Sequence, residues 1–165
     1  ACIYEGDTIA SLHMPTLYCF KPLVFKNKKQ QQQYNRLVRN VKKTLPIAKE
    51  VNRAIIETYE FLQTLPDDKT KQKHLQAVEK SVKEQYTPRM KKLTLSQGKL
   101  LIKLINRETD SSSYELVKAF LGPFKAGFYQ AFAAIFGASL KKEYHPDEED
   151  AMVEQIVLLV ESGQI

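Results

Sequence analysis

Lys99, Lys103 and Arg107 recur at four-residue spacing within T-L-S-Q-G-K-L-L-I-K-L-I-N-R-E-T, the stretch from Thr94 to Thr109. Side chains four apart on a helix sit one above another, so these three cations form a single ridge. A positive ridge near a helix start is chemistry for anions. Unbonded N–H groups around Ser96–Gly98 and the positive end of the helix dipole would add to it. The same residues also describe a solvated ridge on an otherwise buried helix, and Gly98 would admit a ligand or a neighbouring helix equally well. A second cationic set lies upstream, at Arg36, Arg39, Lys42 and Lys43. It belongs to a stretch from Lys21 to Lys49 that holds nine Lys or Arg and no acid. The acids gather at the other end: Glu143 to Ile165 holds seven, with no Lys or Arg. Such segregation means either two faces that meet inside the fold or a basic surface suited to an acidic partner. Both cationic sets, Arg36, Arg39, Lys42 and Lys43 with Lys99, Lys103 and Arg107, are the candidate anion-binding residues.

Other chemistry finds less support. His145, Asp147, Glu148 and Asp150 form the one dense group of metal-ligand types, but carboxylates that open a helix serve its dipole, so no metal and no cofactor is expected. No nucleophile elbow, phosphate-cradling glycine loop or dinucleotide fingerprint is present. Cys19 with His13, or Ser111–Ser113 with a histidine, could meet only through the fold. A carboxylate pair of the glycosidase kind has no sequence spacing to search for. His74 lies beside apolar helix positions and reads as a boundary residue. Lys28 and Lys29 with the cations of Arg36–Lys43 could track phosphates, but no nucleic-acid motif accompanies them.

The elements that must position these residues follow from periodicity. Ile3-Tyr4 and Ile9–Leu12 flank a turn at Glu5-Gly6-Asp7-Thr8, which predicts a β-hairpin. Leu17–Phe20 and Leu23–Phe25 add an extended stretch between Pro15 and Pro22 and beyond. From Asn27 the period becomes helical, with Tyr34, Leu37, Val38, Val41 and Leu45 on one face. Pro46 is expected to end that helix or start the next, which carries Ala48, Val51, Ile55, Tyr59 and Leu62 and stops at Leu65-Pro66-Asp67-Asp68. Leu75, Val78, Val82 and Tyr86 mark another, and Thr87-Pro88 has the form of a cap that opens a new turn. Thr94 and Gln97 have capping-box spacing ahead of the cationic segment, where Leu100, Leu101, Ile102, Leu104 and Ile105 should be buried and Lys99, Lys103 and Arg107 turned outward. Ser112 and Glu115 repeat the spacing before a phenylalanine-rich helix, Leu116–Phe136, interrupted by Gly122-Pro123. A last helix begins at the acids Asp147–Asp150 and runs to Gly163.

Four segments, E-G-D-T-I at Glu5–Ile9, R-L-V-R-N-V-K-K at Arg36–Lys43, S-Q-G-K-L-L-I-K-L-I at Ser96–Ile105 and S-Y-E-L-V-K at Ser113–Lys118, resemble the Bacteroidota family called domain of unknown function 4294. Their order and spacing match across nearly the whole chain, as does the ending D-A-M-V-E-Q-I-V-L-L-V-E-S-G-Q. The resemblance implies an exported protein, because family members usually begin with a signal peptide, and it supplies no catalytic residues. Where members tend to read L-P-E-V-x-V-x-A-P after the hairpin, this chain has M-P-T-L-Y-C-F-K-P, with Thr16 in place of the acid.

At 165 residues and 43% hydrophobic content the chain is long enough to bury a core without disulfides, and no apolar run approaches a membrane span. The start at Ala1 lacks an initiator methionine, so removal of an upstream segment is expected. Cys2 and Cys19 are expected on neighbouring strands, where export would allow them to pair. The expected fold is mainly α: a compact bundle of five to six helices with a small N-terminal β-hairpin, in one domain (1–25 hairpin and extended segment, 26–165 helical core). The expected function is that of a non-enzymatic, periplasmic or cell-envelope protein that binds an anionic envelope component or a protein partner through its basic helix face, with nucleic acid not expected. The alternative is a hydrolase or other enzyme with an unrecognised carboxylate or serine site.

Overall fold

The computed structural model describes residues 2–10, 12, 14–110, 134–135 and 145–165. The capping pair Ser112–Glu115, the phenylalanine-rich helix and the loop from Gly137 lie outside the described residues, apart from Ala134 and Ile135. Two three-residue strands, β1 (Cys2–Tyr4) and β2 (Asp7–Ile9), pair antiparallel with Tyr4 opposite Asp7. Glu5 (φ 50°) and Gly6 (φ 92°) both take positive φ, the backbone twist that a two-residue connection needs. Residues 14–25 follow without regular structure. Cys19 lies there as a free, exposed thiol. The expectation that both cysteines sit on neighbouring strands is therefore corrected: only Cys2 is in the sheet, because prolines at 15 and 22 remove the N–H groups a third strand would need.

Four helices lie among the described residues: α1 (Lys28–Gln63), α2 (Asp68–Met90), α3 (Leu95–Asp110) and α4 (Ala151–Glu161). Asn27 caps α1 by accepting the Gln30 N–H at 2.9 Å, while the Gln30 amide oxygen accepts the Lys26 N–H at 2.8 Å. Asp67 caps α2 by accepting both the N–H and the hydroxyl of Thr70, which holds its carboxyl below the usual range. Helix α4 closes in a Schellman turn, with Gly163 at φ 72° and the Gln164 N–H donating to Leu159 O at 2.9 Å.

Two expected breaks are absent. Helix α1 runs unbroken through Pro46 for 36 residues, and α2 runs through Pro88. An interior proline costs about 3 kcal/mol in propensity. Pro46 and Lys42, whose carbonyl loses its donor, are both exposed, so water can satisfy that oxygen. The residues flanking Pro46 on the inner side, Val41, Leu45, Ala48 and Val51, are fully or almost fully buried, and that burial outweighs the proline penalty.

The core forms where α3 lies along α1, with α4 against α1 and the second half of α2 joining it. Leu101 and Leu104 of α3 are completely buried, as are Ile156 and Val157 of α4 and Val41 and Ala48 of α1. Tyr86, Met90 and Leu93 complete the cluster from α2 and the turn after it. Among the described side chains of α3, Leu95, Ser96 and Lys99 are exposed. The apolar sector expected there is therefore buried as read. At the far end of the α1–α2 pair, Phe61 packs on His74 with ring centroids 4.6 Å apart and planes tilted by 45°, and His74 is half-buried.

Leu104→Ala removes a completely buried side chain from the centre of this cluster and should lower stability by about 2–5 kcal/mol in chemical denaturation. Lys99→Ala, one turn earlier and exposed, should change it by less than about 0.5 kcal/mol.

Candidate anion-binding surface

The start of α3 is built as its spacing predicts. Thr94 Oγ1 accepts the Gln97 N–H at 3.3 Å, and the Gln97 side-chain oxygen accepts the Thr94 N–H at 3.1 Å. The Gly98 N–H donates to Thr94 O at 2.9 Å, and Gly98 is buried. The N–H groups of Gln97 and Gly98 are thus taken by the chain itself. Gln97 does more than cap. Its amide nitrogen donates to Asn40 Oδ1 at 3.0 Å and its oxygen also accepts from Lys43 Nζ at 3.2 Å, so one side chain ties α3 to α1. Lys43 Nζ further reaches Lys92 O at 3.5 Å.

The ridge expected to point outward from α3 divides. Lys99 is exposed. Lys103 and Arg107 are turned against the C-terminal acids, with side chains only 14% and 15% exposed. Lys103 Nζ lies 2.7 Å from Asp150 and 3.0 Å from Glu149. Arg107 grips Glu154 with two parallel bonds of 2.7 and 2.8 Å, and also meets Glu108 at 2.7 Å and Glu161 at 3.3 Å. Glu161 in turn pairs with Lys49 of α1 at 2.6 Å. The forked guanidinium matches the carboxylate geometry, which a lysine could not. The sequence expectation failed here because helical periodicity assigns a side to a residue and does not say what packs on that side. The acid-rich C-terminus was the available signal.

Burial disfavours the charged forms of both residues, but hydrogen bonds and attraction from the carboxylates outweigh it. For Lys103 the partners are Asp150 and Glu149; for Arg107 they are Glu154, then Glu161 and Glu108, and both side chains titrate above their ordinary values. Asp150, itself buried, also accepts the His145 N–H at 3.2 Å. Among the described residues no group of three or more His, Cys, Asp or Glu could hold a metal ion.

On α1 the arrangement is different. Arg36, Arg39, Lys42 and Lys43 are all exposed. Among the described residues, no carboxylate lies within ion-pair distance of Arg36, Arg39 or Lys42. The seven candidate cations therefore do not converge. Lys103 and Arg107 form an internal clamp, Lys43 braces the α3 start, and Arg36, Arg39 and Lys42 remain as an open cationic ridge.

These features define a mainly helical protein in which four C-terminal acids, Glu149, Asp150, Glu154 and Glu161, hold Lys49, Lys103 and Arg107, and Arg36, Arg39 and Lys42 stay exposed. The family model described as Domain of unknown function (DUF4294) matches residues 7–159, and the chain belongs to that family. No curated protein and no solved structure matches the chain.

Elsewhere, Glu50 joins α1 to α2 by accepting two bonds of 2.8 Å from Arg89, beside the buried Tyr86. Burial and the nearby Glu50 charge push the Tyr86 phenol up to about 12.

Arg107→Ala leaves three carboxylates facing one another and should cost about 3 kcal/mol, with Arg107→Lys recovering only part of it in thermal or urea unfolding. The Tyr86 phenol is neutral when protonated, and its folded value lies above the ordinary 10. Its contribution is therefore complete below pH 10 and disappears as pH rises through about 12. Stability measured across that window should fall more steeply for the wild type than for Tyr86→Phe.

Proposed function

We propose that this protein is a non-enzymatic binding protein that engages an anionic envelope component or an acidic protein partner through the ridge of Arg36, Arg39 and Lys42. The observation that carries this reading is the asymmetry between the two cationic sets. Carboxylates of the C-terminal region engage Lys49, Lys103 and Arg107, while Arg36, Arg39 and Lys42 stay exposed with no acid beside them among the described residues. Like charges held on one helix repel, so the ridge carries an electrostatic penalty that an anionic partner would relieve. A groove beside this ridge is lined by Leu23, Val24, Phe25, Gln30, Gln33, Tyr34, Leu37 and Met152, an apolar wall with two amides. The periplasmic or cell-envelope setting is part of the proposal and rests on the export that the family resemblance implies. We assign the remaining helices of a five- to six-helix bundle to the apolar recurrence Leu116–Phe136 on its sequence pattern, and the single-domain organisation is proposed on the same ground.

The ridge should retain the protein on a heparin column at low ionic strength and release it near ~0.15 M salt, where the screening length falls to about 8 Å. Reversing Arg36, Arg39 and Lys42 to Glu should abolish retention while leaving the helical circular-dichroism signal intact. Absence of retention in the wild type, or unfolding of the reversed variant, would overturn the proposal.

A further inference from the structure

The segment between β2 and α1 leaves large apolar side chains in water. Leu17 is 65% exposed, Val24 88%, and Phe20 and Leu23 are exposed as well. Lys21, Lys26, Lys28 and Lys29 are interleaved with them or follow them directly, and all four are exposed. From Thr8 to Lys49 the chain contains no carboxylate at all. The arm is not loosely attached. The Gln164 side chain bonds the backbone of Tyr18 twice, accepting its N–H at 2.8 Å and donating to its carbonyl at 3.0 Å. The Phe25 ring packs on Tyr34 with centroids 5.5 Å apart. Tyr18 and Phe20 stack at 6.3 Å. Between those two anchors the arm is held over the groove of about 360 Å³ formed with α1 and Met152.

We propose that the arm from Leu17 to Lys29 is a membrane-surface anchor, which inserts Phe20, Leu23 and Val24 at the headgroup level of an anionic bilayer while the lysines meet the lipid phosphates. The proposal rests on the reading above in taking an anionic counter-surface as the partner. Charge complementarity selects the occupant, because an arm with four exposed lysines and no acid, continuing into the exposed Arg36, Arg39 and Lys42, matches a sheet of negative headgroups. The distribution of the apolar groups favours lipid over a folded protein. They are scattered along irregular backbone rather than gathered into one shaped patch, and a fluid interface accepts scattered anchors whereas a protein interface needs complementary shape. Tyr18, stacked on Phe20, has the amphipathic ring that suits that zone. The arm's own backbone limits the depth: its N–H and C=O groups lack a regular bonding ladder, so only side chains can leave water.

Sedimentation with vesicles of phosphatidylcholine mixed with phosphatidylglycerol, against phosphatidylcholine alone, tests this, with heparin retention measured in parallel. The wild type should sediment only with the anionic vesicles. Replacing Phe20, Leu23 and Val24 together by Ser should weaken that partition at least about tenfold and leave heparin retention unchanged. Each of Lys21→Glu and Lys26→Glu should weaken it about fivefold or more. An environment-sensitive fluorophore on Cys19, in a Cys2→Ser background, should shift to the blue on the anionic vesicles. Retention on heparin without vesicle binding would overturn the membrane anchor and leave the ridge reading standing, with an acidic protein as the partner. Failure of both would remove both. Unchanged vesicle binding by the serine variant, its loss of heparin retention as well, or a label that stays in water would each overturn insertion.

Discussion

A helix that is apolar around most of its girth must be enclosed, and α3 is enclosed so far that even its charged side becomes an interface. Leu101 and Leu104 are completely buried, and two positions along the same ridge as the exposed Lys99 are drawn under the C-terminal carboxylates. The dependence runs outward from there. Helix α1 has to be long and continuous to line α3, which is why packing overrides Pro46. Helix α4 and the turn before it have to bring their acids to Arg107 and Lys103, since two half-buried cations without partners would be strongly destabilising. The net attraction of such pairs is modest once desolvation is counted, whereas the loss of one partner is costly. Apolar surfaces alone permit sliding; a bidentate grip of Arg107 on Glu154 does not.

The same clamp sorts the charges of the molecule. Strong segregation along the chain allowed either internal pairing or an open basic face. The fold uses both. The acids near the C-terminus neutralise Lys49, Lys103 and Arg107, and that leaves the first half of α1 without a counter-charge among the described residues. Internal pairing thus uses one part of the cationic population and leaves another exposed. Gln97 stands at the division. It caps α3, binds Asn40 and holds Lys43, so the ridge on α1 is presented by a helix fixed at its middle.

The chain termini are coupled as well. The Schellman turn that ends α4 places Gln164 where its amide meets both backbone groups of Tyr18. An apolar, unladdered arm is held in position by a polar contact at one end and by an aromatic contact, Phe25 on Tyr34, at the other. Its exposed side chains are therefore displayed from fixed points on the domain and not from a free tail.

Several local signals were legible in the amino-acid sequence, although the hairpin turn is tighter than its residues suggested: the second strand begins at Asp7, inside the expected turn Glu5–Thr8. The capping pair Thr94–Gln97, the buried sector of α3 and the stop at Leu65–Asp67 depend on neighbours a few positions away, so spacing alone determines them. The family was legible too, because its motifs are contiguous. Whether Pro46 and Pro88 would break their helices, whether Cys19 would lie on a strand, and which cations would face water were decided only by the tertiary structure. The helices and the cations depend on partners far away in sequence: the burial of Leu45 and Ala48 against α3, and the carboxylates of Asp150 and Glu154 some 47 residues from the cations they bind; Cys19 depends on Pro15 and Pro22 close by, whose effect on strand pairing shows only once the sheet is formed. Propensity and periodicity carry energies of a few kcal/mol at most, and long-range burial and charge pairing of the same size settle the outcome wherever the two disagree.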